Sequence, residues 1–281
     1  MKSENINHFS ISSDNFIFNH SHIERIPMET FKFHTHDTVE LLFIKKINGC
    51  HIVEDKEYRL TGLDLVVVPP ATYHTVKFYD TDSPYERYDI MCSSEIYKGI
   101  DIEKIYRNIT VINCAHHNII TDIFSKADYY HSVMDTESFI NISKLLIREL
   151  LYNLTIYDGA EKIQPHFVSP TLSKALEYIN NNLYTIESVS QISKALYITD
   201  SYLFEIFKNQ MKTSPKKYIT AKRLHAARDA IAGGEKPTEI YGKFGFGDYA
   251  SFYRSYVRFF GHAPSQERDL KFIGAKFGIN T

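Results

Sequence analysis

Arg254 and Arg258 carry the most specific chemistry in this sequence. They stand in Ser251-Phe-Tyr-Arg-Ser-Tyr-Val-Arg258, where apolar residues recur at helical spacing and the two cations fall on another face. A guanidinium is a planar fork of donors that matches guanine O6 and N7 bidentately, and its charge neutralises phosphate. This is binding chemistry, with no bond to break. A second polar set lies in the first half. His34 and His36 are two apart, so a strand places both on one face. Glu40 and His74 stand where neighbouring strands bring further polar groups to them.

The arginines need a rigid mount. Gly245-Phe-Gly247 forms a sharp turn between two helical patterns, and Phe252, Tyr256 and Phe259 then make one apolar face. A helix that holds a turn, followed by a helix presented to a groove, is a helix-turn-helix. The pattern occurs twice. In the first copy Ser188 and Gln191 make a capping box, with Val189 and Ile192 on one face. After a break at Tyr197-Ile198, Thr199 caps a second helix carrying Leu203 and Phe207. Pro215 follows Phe207 at the same spacing at which Pro264 follows Tyr256. Leu224, Ala227 and Ile231 mark a joining helix from Tyr218 to Ile231, ended by Gly233-Gly234. A rigid joint of this kind sets two recognition helices about one DNA turn apart, roughly 34 Å.

These residues resemble the AraC/XylS family of transcription regulators. The matching set is ordered: Tyr202-Leu203, Phe207-Lys208, Tyr218-Ile219, Arg223-Leu224, Ala227, Ile240, Gly245-Phe246, Phe252, Arg254, Gly261, Pro264 and Arg268. The chain departs from the family at Lys212, where glycine is usual, and at Ser193 and Tyr241, where alanine is favoured at the helix crossings. The resemblance implies that Ser201, Phe204 and Glu205 face bases, with Phe204 on a thymine methyl and Glu205 accepting from a cytosine amine. Lys208 then meets a phosphate. In the second recognition helix Tyr249, Ala250, Tyr253 and Arg254 face outward, Arg254 as the main base reader. Arg258 and Arg268 serve as backbone contacts or surface charges.

Charge agrees with this assignment once the chain is divided at Pro170. The whole chain of 281 residues has net charge −2. Residues 1–169 hold 16 Lys and Arg against 24 Asp and Glu, a net −8, and residues 170–281 hold 16 against 10, a net +6. A basic half is what phosphate neutralisation requires. No apolar run reaches the ~20 residues of a membrane span, and the polar N-terminus lacks a secretory pattern. Three scattered cysteines, Cys50, Cys92 and Cys114, suggest buried thiols in a reducing compartment.

The first half predicts short strands with frequent turns, hence a small barrel or sandwich. Residues 1–30 read as one irregular strand or arm. Val39 to Ile44, His51 to Leu60 and Leu65 to Val68 follow as strands, with turns at Asp55-Lys56 and Thr61-Gly62. From Asp101 the pattern is helical, and Asp135 to Tyr157 is a helix with a broad Leu and Ile face, ended by Asp158-Gly159. The stretch His34-Thr-His36-Asp-Thr-Val-Glu40, with Gly49, Gly62-Leu-Asp64, Pro69 and His74, resembles a cupin sensor domain. In metal cupins three His and one Glu at such places ligate a metal, and imidazole with carboxylate suits Fe, Mn, Ni or Zn. In regulators such residues contact an organic effector or stabilise the barrel mouth.

The expected fold is α+β and multidomain: a cupin-like β-barrel with helices, then an all-α tandem helix-turn-helix module. Residues 1–158 form an effector-sensing and dimerisation domain, 159–169 a linker and 170–281 the DNA-binding domain. The expected function is that of a cytoplasmic transcription regulator, an activator by family analogy, with no catalytic step. Its partners are double-stranded DNA, a small-molecule effector such as a carbohydrate bound by His34, His36, Glu40 and His74, a second copy of the chain, and RNA polymerase. No cofactor, metal or membrane is called for. The rival is a metal-dependent cupin enzyme with a DNA-binding tail. A third reading makes the first half a dimerisation module without a ligand.

Overall fold

Alternation of apolar and polar residues builds the first half. A computed structural model describes residues 5–26, 33–36, 38–157, 162–167 and 169–267. It begins with β1 (Asn5–Ser12), β2 (Phe16–Ile23), β3 (Val39–Lys46), β4 (Gly49–Val53), β5 (Lys56–Leu60), β6 (Asp64–Val68), β7 (His74–Phe78) and β8 (Tyr85–Cys92). The helix α1 (Ile102–Asn108), a short β9 (Val111–Asn113), α2 (Asn118–Val133) and α3 (Thr136–Ile156) follow. One antiparallel sheet has the order β1-β2-β8-β3-β6-β9, and a second contains β5, β4 and β7 in that order.

Strand register sorts the side chains. Opposite residues in β3 and β8 share a face, so Leu41, Phe43, Tyr88 and Ile90 lie on one side and Glu40, Leu42, Asp89 and Arg87 on the other. The first side packs on α2 and α3, where the rings of Phe43 and Phe124 stack at 4.2 Å. The other side closes over Val53, Tyr58, Leu60 and Val76 of the second sheet, so the two sheets share one core. Cys50, Cys92 and Cys114 are all buried free thiols.

Two sequence expectations for this half need correction. The first thirty residues are not one irregular arm: β1 and β2 pair along their length, because Phe16, Phe18 and His20 alternate inward. Nor is the region after Asp101 purely helical. Val111–Asn113 extends the sheet by pairing with β6. Strands β7 and β8, for which the sequence reading made no assignment, form the β7 edge of the second sheet and an interior strand of the first. The helix stop at Asp158-Gly159 lies outside the described residues.

Contacts divide the chain into two compact units, one drawn mainly from residues up to His166 and the other mainly from Phe167 onward. The second unit is helical. It contains α4 (Pro170–Asn181), α5 (Val189–Ala195), α6 (Asp200–Met211), α7 (Pro215–Ala232), a single turn α8 (Pro237–Ile240) and α9 (Tyr249–Phe260), followed by a 3-10 turn at Pro264–Gln266. Caps define the ends. Ser169, Thr199, Ser214 and Asp248 each accept a backbone N–H at the start of α4, α6, α7 and α9. Leu172, Ala175, Leu176 and Ile179 form the buried stripe of α4. No described helix is long and apolar enough to cross a membrane.

Candidate nucleic-acid interface and polar sheet interior

The second unit positions its outward side chains by burying the opposite face of each helix. In α6, Leu203, Ile206, Phe207 and Met211 are buried, while Ser201, Phe204, Glu205 and Lys208 are exposed. In α9, Phe252 and Tyr256 are fully buried against Leu224, Ala227 and Ile231 of α7. Ala250, Tyr253, Arg254 and Arg258 are exposed on the other side, and Tyr249 is half-buried between the rings of Tyr241 and Phe252. Arg254 lies two residues after Phe252, about 200° around the helix, which is why it faces solvent. Its guanidinium donates to Ser251 Oγ at 3.3 Å, so one end is steadied and the remaining donors are open to a ligand. Arg268 lies outside the described residues.

The apolar face of α9 differs in one residue from the sequence reading. Phe259 leans edge-on to His225 at 5.2 Å but stays 41% exposed. Phe260 takes the packing role, with its ring 4.6 Å from that of Tyr256. The glycine pair also separates. At Gly245, φ is +75° and a Cβ would meet Tyr184 O at 2.6 Å, so only glycine fits. Gly247 faces open space.

A half-buried cation joins two loops. Arg223, projecting from α7, donates to the carbonyls of Leu183 at 2.8 Å, Gly245 at 2.7 Å and Ile186 at 2.6 Å. One guanidinium thus ties the segment after α4 to the turn before α9. The sequence placed Arg223 in the matching set without this role. Across the first pair of helices, Asp200 accepts from Ser190 Oγ at 2.5 Å and from the buried Ser193 hydroxyl. The polar Ser193 is accommodated at the helix crossing by this bond, and Asp200 is a brace.

The first unit brings all four expected ligand-binding residues together. Reciprocal backbone hydrogen bonds of 3.1 and 3.0 Å set His34 beside His74. Ala71 N donates to His36 O at 2.8 Å. His36 Nε2 lies 3.2 Å and His74 Nε2 2.9 Å from the same oxygen of Glu40, Oε2. The other nitrogens are already engaged: Nδ1 of His36 donates to Thr38 O at 2.8 Å, and Nδ1 of His74 to Thr72 O at 2.9 Å. Each Nε2 of a neutral ring would then present a lone pair to a carboxylate, which is repulsive. A cation seated between them would relieve that repulsion. Burial pushes the Glu40 carboxyl up, but the imidazoles, His74 first, outweigh it and hold it well below the usual range.

His51 is the residue the sequence reading missed. It faces Val76 in the β4–β7 pair, two residues from Val53, the partner of His74, so the two rings share a face and their centroids lie 5.7 Å apart. It is fully buried, and neither ring nitrogen has a hydrogen-bond partner among the described residues. Burial, then the nearby His74, drives its pKa down to about 3, so the ring is neutral at physiological pH. One oxygen of Asp89, on the same inward side as Glu40, is likewise sealed without a hydrogen-bond partner among the described residues. Burial and the Glu40 charge raise that carboxyl to about 7. Buried polar atoms are ordinarily hydrogen-bonded to protein groups or ordered water. The signal available in the sequence was His51 at an inward strand position, but inwardness depends on register.

Chemically the cluster can hold a polar ligand or a divalent ion. The ligand atoms of His34, His36 and His74 all lie within 4.8 Å of one another. Imidazoles anchored through Nδ1 to carbonyls are the arrangement that metal-ligating histidines use, so the donor set fits a metal of the Fe, Mn, Ni or Zn type.

Comparison with known proteins places residues 192–269 in a helix-turn-helix domain family. The lactose operon transcription activator of Staphylococcus xylosus is 29% identical over 135 residues, covering 46% of this chain and 48% of that protein. This chain therefore spans about half the length of that relative. The raffinose operon regulatory protein RafR of Pediococcus pentosaceus is 26% identical over 214 residues, covering 73% of this chain and 75% of RafR. Among solved structures, apo ToxT from Vibrio cholerae is 13% identical with a TM-score of 0.38, covering 91% of this chain and 97% of that one.

Proposed function

We infer, from the premise that residues 192–269 are a helix-turn-helix domain of the AraC type, that this protein is a transcription regulator that binds duplex DNA under the control of a small molecule. The observation that carries the reading is α9: a helix whose Phe252 and Tyr256 are wholly buried and whose Arg254, Tyr253 and Ala250 face outward. Arg254 reads guanine, Tyr249 and Tyr253 meet sugar-phosphate or thymine, and Arg258 meets the backbone. In α6, Ser201, Phe204 and Glu205 face bases and Lys208 a phosphate. Residues 1–158 sense the effector and pair two copies of the chain, 159–169 link, and 170–281 bind DNA. Two copies on repeated half-sites gain affinity through linkage.

The effector contacts are His34, His36, Glu40 and His74. Donors and acceptors converging on one buried face suit a polyhydroxylated molecule, and relatives named for lactose and raffinose operons make a carbohydrate the leading class. Effector binding shifts the chain toward its DNA-competent arrangement to the extent that it binds that arrangement more tightly. The regulator is an activator in the cytoplasm, working with RNA polymerase. Mapping the DNA bound by the full chain in its host tests this. The expected result is enrichment of repeated half-sites upstream of transcribed genes, and uniform recovery without enriched sites would overturn it.

The anchored imidazoles favour one second reading, a metal-dependent cupin enzyme with a DNA-binding tail. There His34, His36 and His74, with Glu40 beside them, would hold an ion that polarises a bound substrate oxygen. Metal content of freshly purified protein separates the two readings. Near one ion per chain, lost in a His36→Ala variant, would support the enzyme, and metal-free protein would support the sensor.

A further inference from the structure

Beside α6, an open concavity of about 600 Å³ is lined by Phe204, Glu205, Lys208, Asn209, Lys212 and Lys217, among others. Three lysines line it against one glutamate, all four exposed residues. Among the described residues, none of the three lysines is in an ion pair. Like charges gathered in one concavity repel unless an anion occupies it.

The backbone gives the arrangement further meaning. Lys212 caps α6 in the left-handed conformation, with φ 51° and ψ 24°. Glycine adopts that geometry without strain and a lysine does not. A non-glycine residue is therefore held here at a conformational cost, and it is one of those that line the concavity. Lys217, in the first turn of α7, has its backbone N–H taken by Ser214 Oγ at 3.3 Å. The ammonium groups, not the helix end, are what the concavity offers a ligand. Its other wall is Phe204 and Glu205, on the outward face of α6. An anion seated on the lysines thus lies next to the surface assigned to base edges.

We propose that Lys212 and Lys217, with Lys208, form a phosphate clamp that seats the DNA backbone flanking the groove read by α6. This rests on the DNA-binding reading above and names contacts that it did not include. The opening on one side suits a polymer passing across the lysines, and the phosphodiester supplies the anions. Phosphate contacts fix register and orientation without reading sequence. The clamp thereby sets how deeply Phe204 and Glu205 reach.

The test uses the full chain, its Lys212→Gly and Lys217→Gln variants and the double variant. Binding to an enriched duplex and to a random duplex is measured across a salt series. Lys212→Gly removes the cation and relaxes the backbone, so its melting temperature should match or exceed that of the parent, which excludes misfolding as the cause of any loss. Each single variant should lower the slope of log affinity against log salt by about 0.9 and weaken both duplexes about equally. The double variant should lose about twice as much. A parent that binds with a steep slope, and a double variant with the same slope, overturns the clamp alone. A parent without salt-dependent binding overturns the underlying DNA reading. Inorganic pyrophosphate serves as a competitor probe. Stabilisation of the parent by pyrophosphate, absent in the double variant whose DNA slope is unchanged, would assign the site to a small phosphate compound and overturn the proposal.

Discussion

Arg254 and His51 illustrate opposite uses of a polar side chain. Arg254 is exposed and steadied at one end by Ser251. A bidentate contact with guanine makes Arg254→Ala cost about 1–3 kcal/mol on the cognate site, with a smaller loss on random DNA. Arg254→Lys keeps the charge but loses the planar fork, so it should recover nonspecific binding and not discrimination. Duplex titrations of the three proteins decide it. Equal losses on both duplexes would move base reading to Tyr249 and Tyr253. His51 is sealed and neutral, with its pKa near 3 against an ordinary value of 6.5. The depressed value means that the native state resists a proton that the unfolded chain accepts. The contribution of His51 to stability is therefore complete above about pH 6.5 and is lost as pH falls from there toward 3. His51→Leu should flatten that acid-side loss and leave the melting temperature at pH 7 equal or higher, because two orphaned nitrogens are removed. Melting curves of both proteins from pH 7 to pH 4 check the sign. A variant as acid-sensitive as the parent would contradict it.

Elements in the second unit are held by a few residues with several jobs each. Arg223 ties three carbonyls, and Gly245 makes room for it, since its Cβ position lies 2.7 Å from the guanidinium carbon. Arg223→Met should destabilise the second unit by about 3 kcal/mol or more, since charged hydrogen bonds contribute ~1.5–3 kcal/mol each. Gly245→Ala should be comparably damaging through strain and overlap. Urea unfolding of the full chain, followed by signals from the second unit, measures both, and a loss under 1 kcal/mol for either would argue against the brace. These elements were legible because helices repeat every 3.6 residues within a short window: Leu203 with Phe207 and Phe252 with Tyr256 announce their faces without tertiary knowledge. The sheets were less legible. His51 and Asp89 owe their inward direction to pairing with strands distant in sequence, and a shift of one residue would reverse it. Phe259 shows the same limit, since periodicity puts it on the buried face and yet it stays 41% exposed.

For the whole molecule, an acidic first half and a basic second half fit the two tasks proposed above, ligand sensing and phosphate neutralisation. Replacing His34, His36 and His74 together by Ala should abolish the response to the effector in a promoter reporter. The affinity of the full chain for its site without effector should change by less than about threefold, since linkage alters binding only through a ligand that distinguishes the states. A triple variant that still responds would return the cluster to a purely structural role. The central claim, that α6 and α9 read a duplex, meets its most direct test in the affinity of the full chain for a sequence enriched from random duplexes, against a scrambled control, between 50 and 200 mM salt. The account predicts tight binding to the enriched sequence, a steep fall with salt of about 0.9 log units per log unit for each neutralised phosphate, and a preference of at least about a thousandfold over the control. Equal affinity for both duplexes at every salt concentration would contradict it.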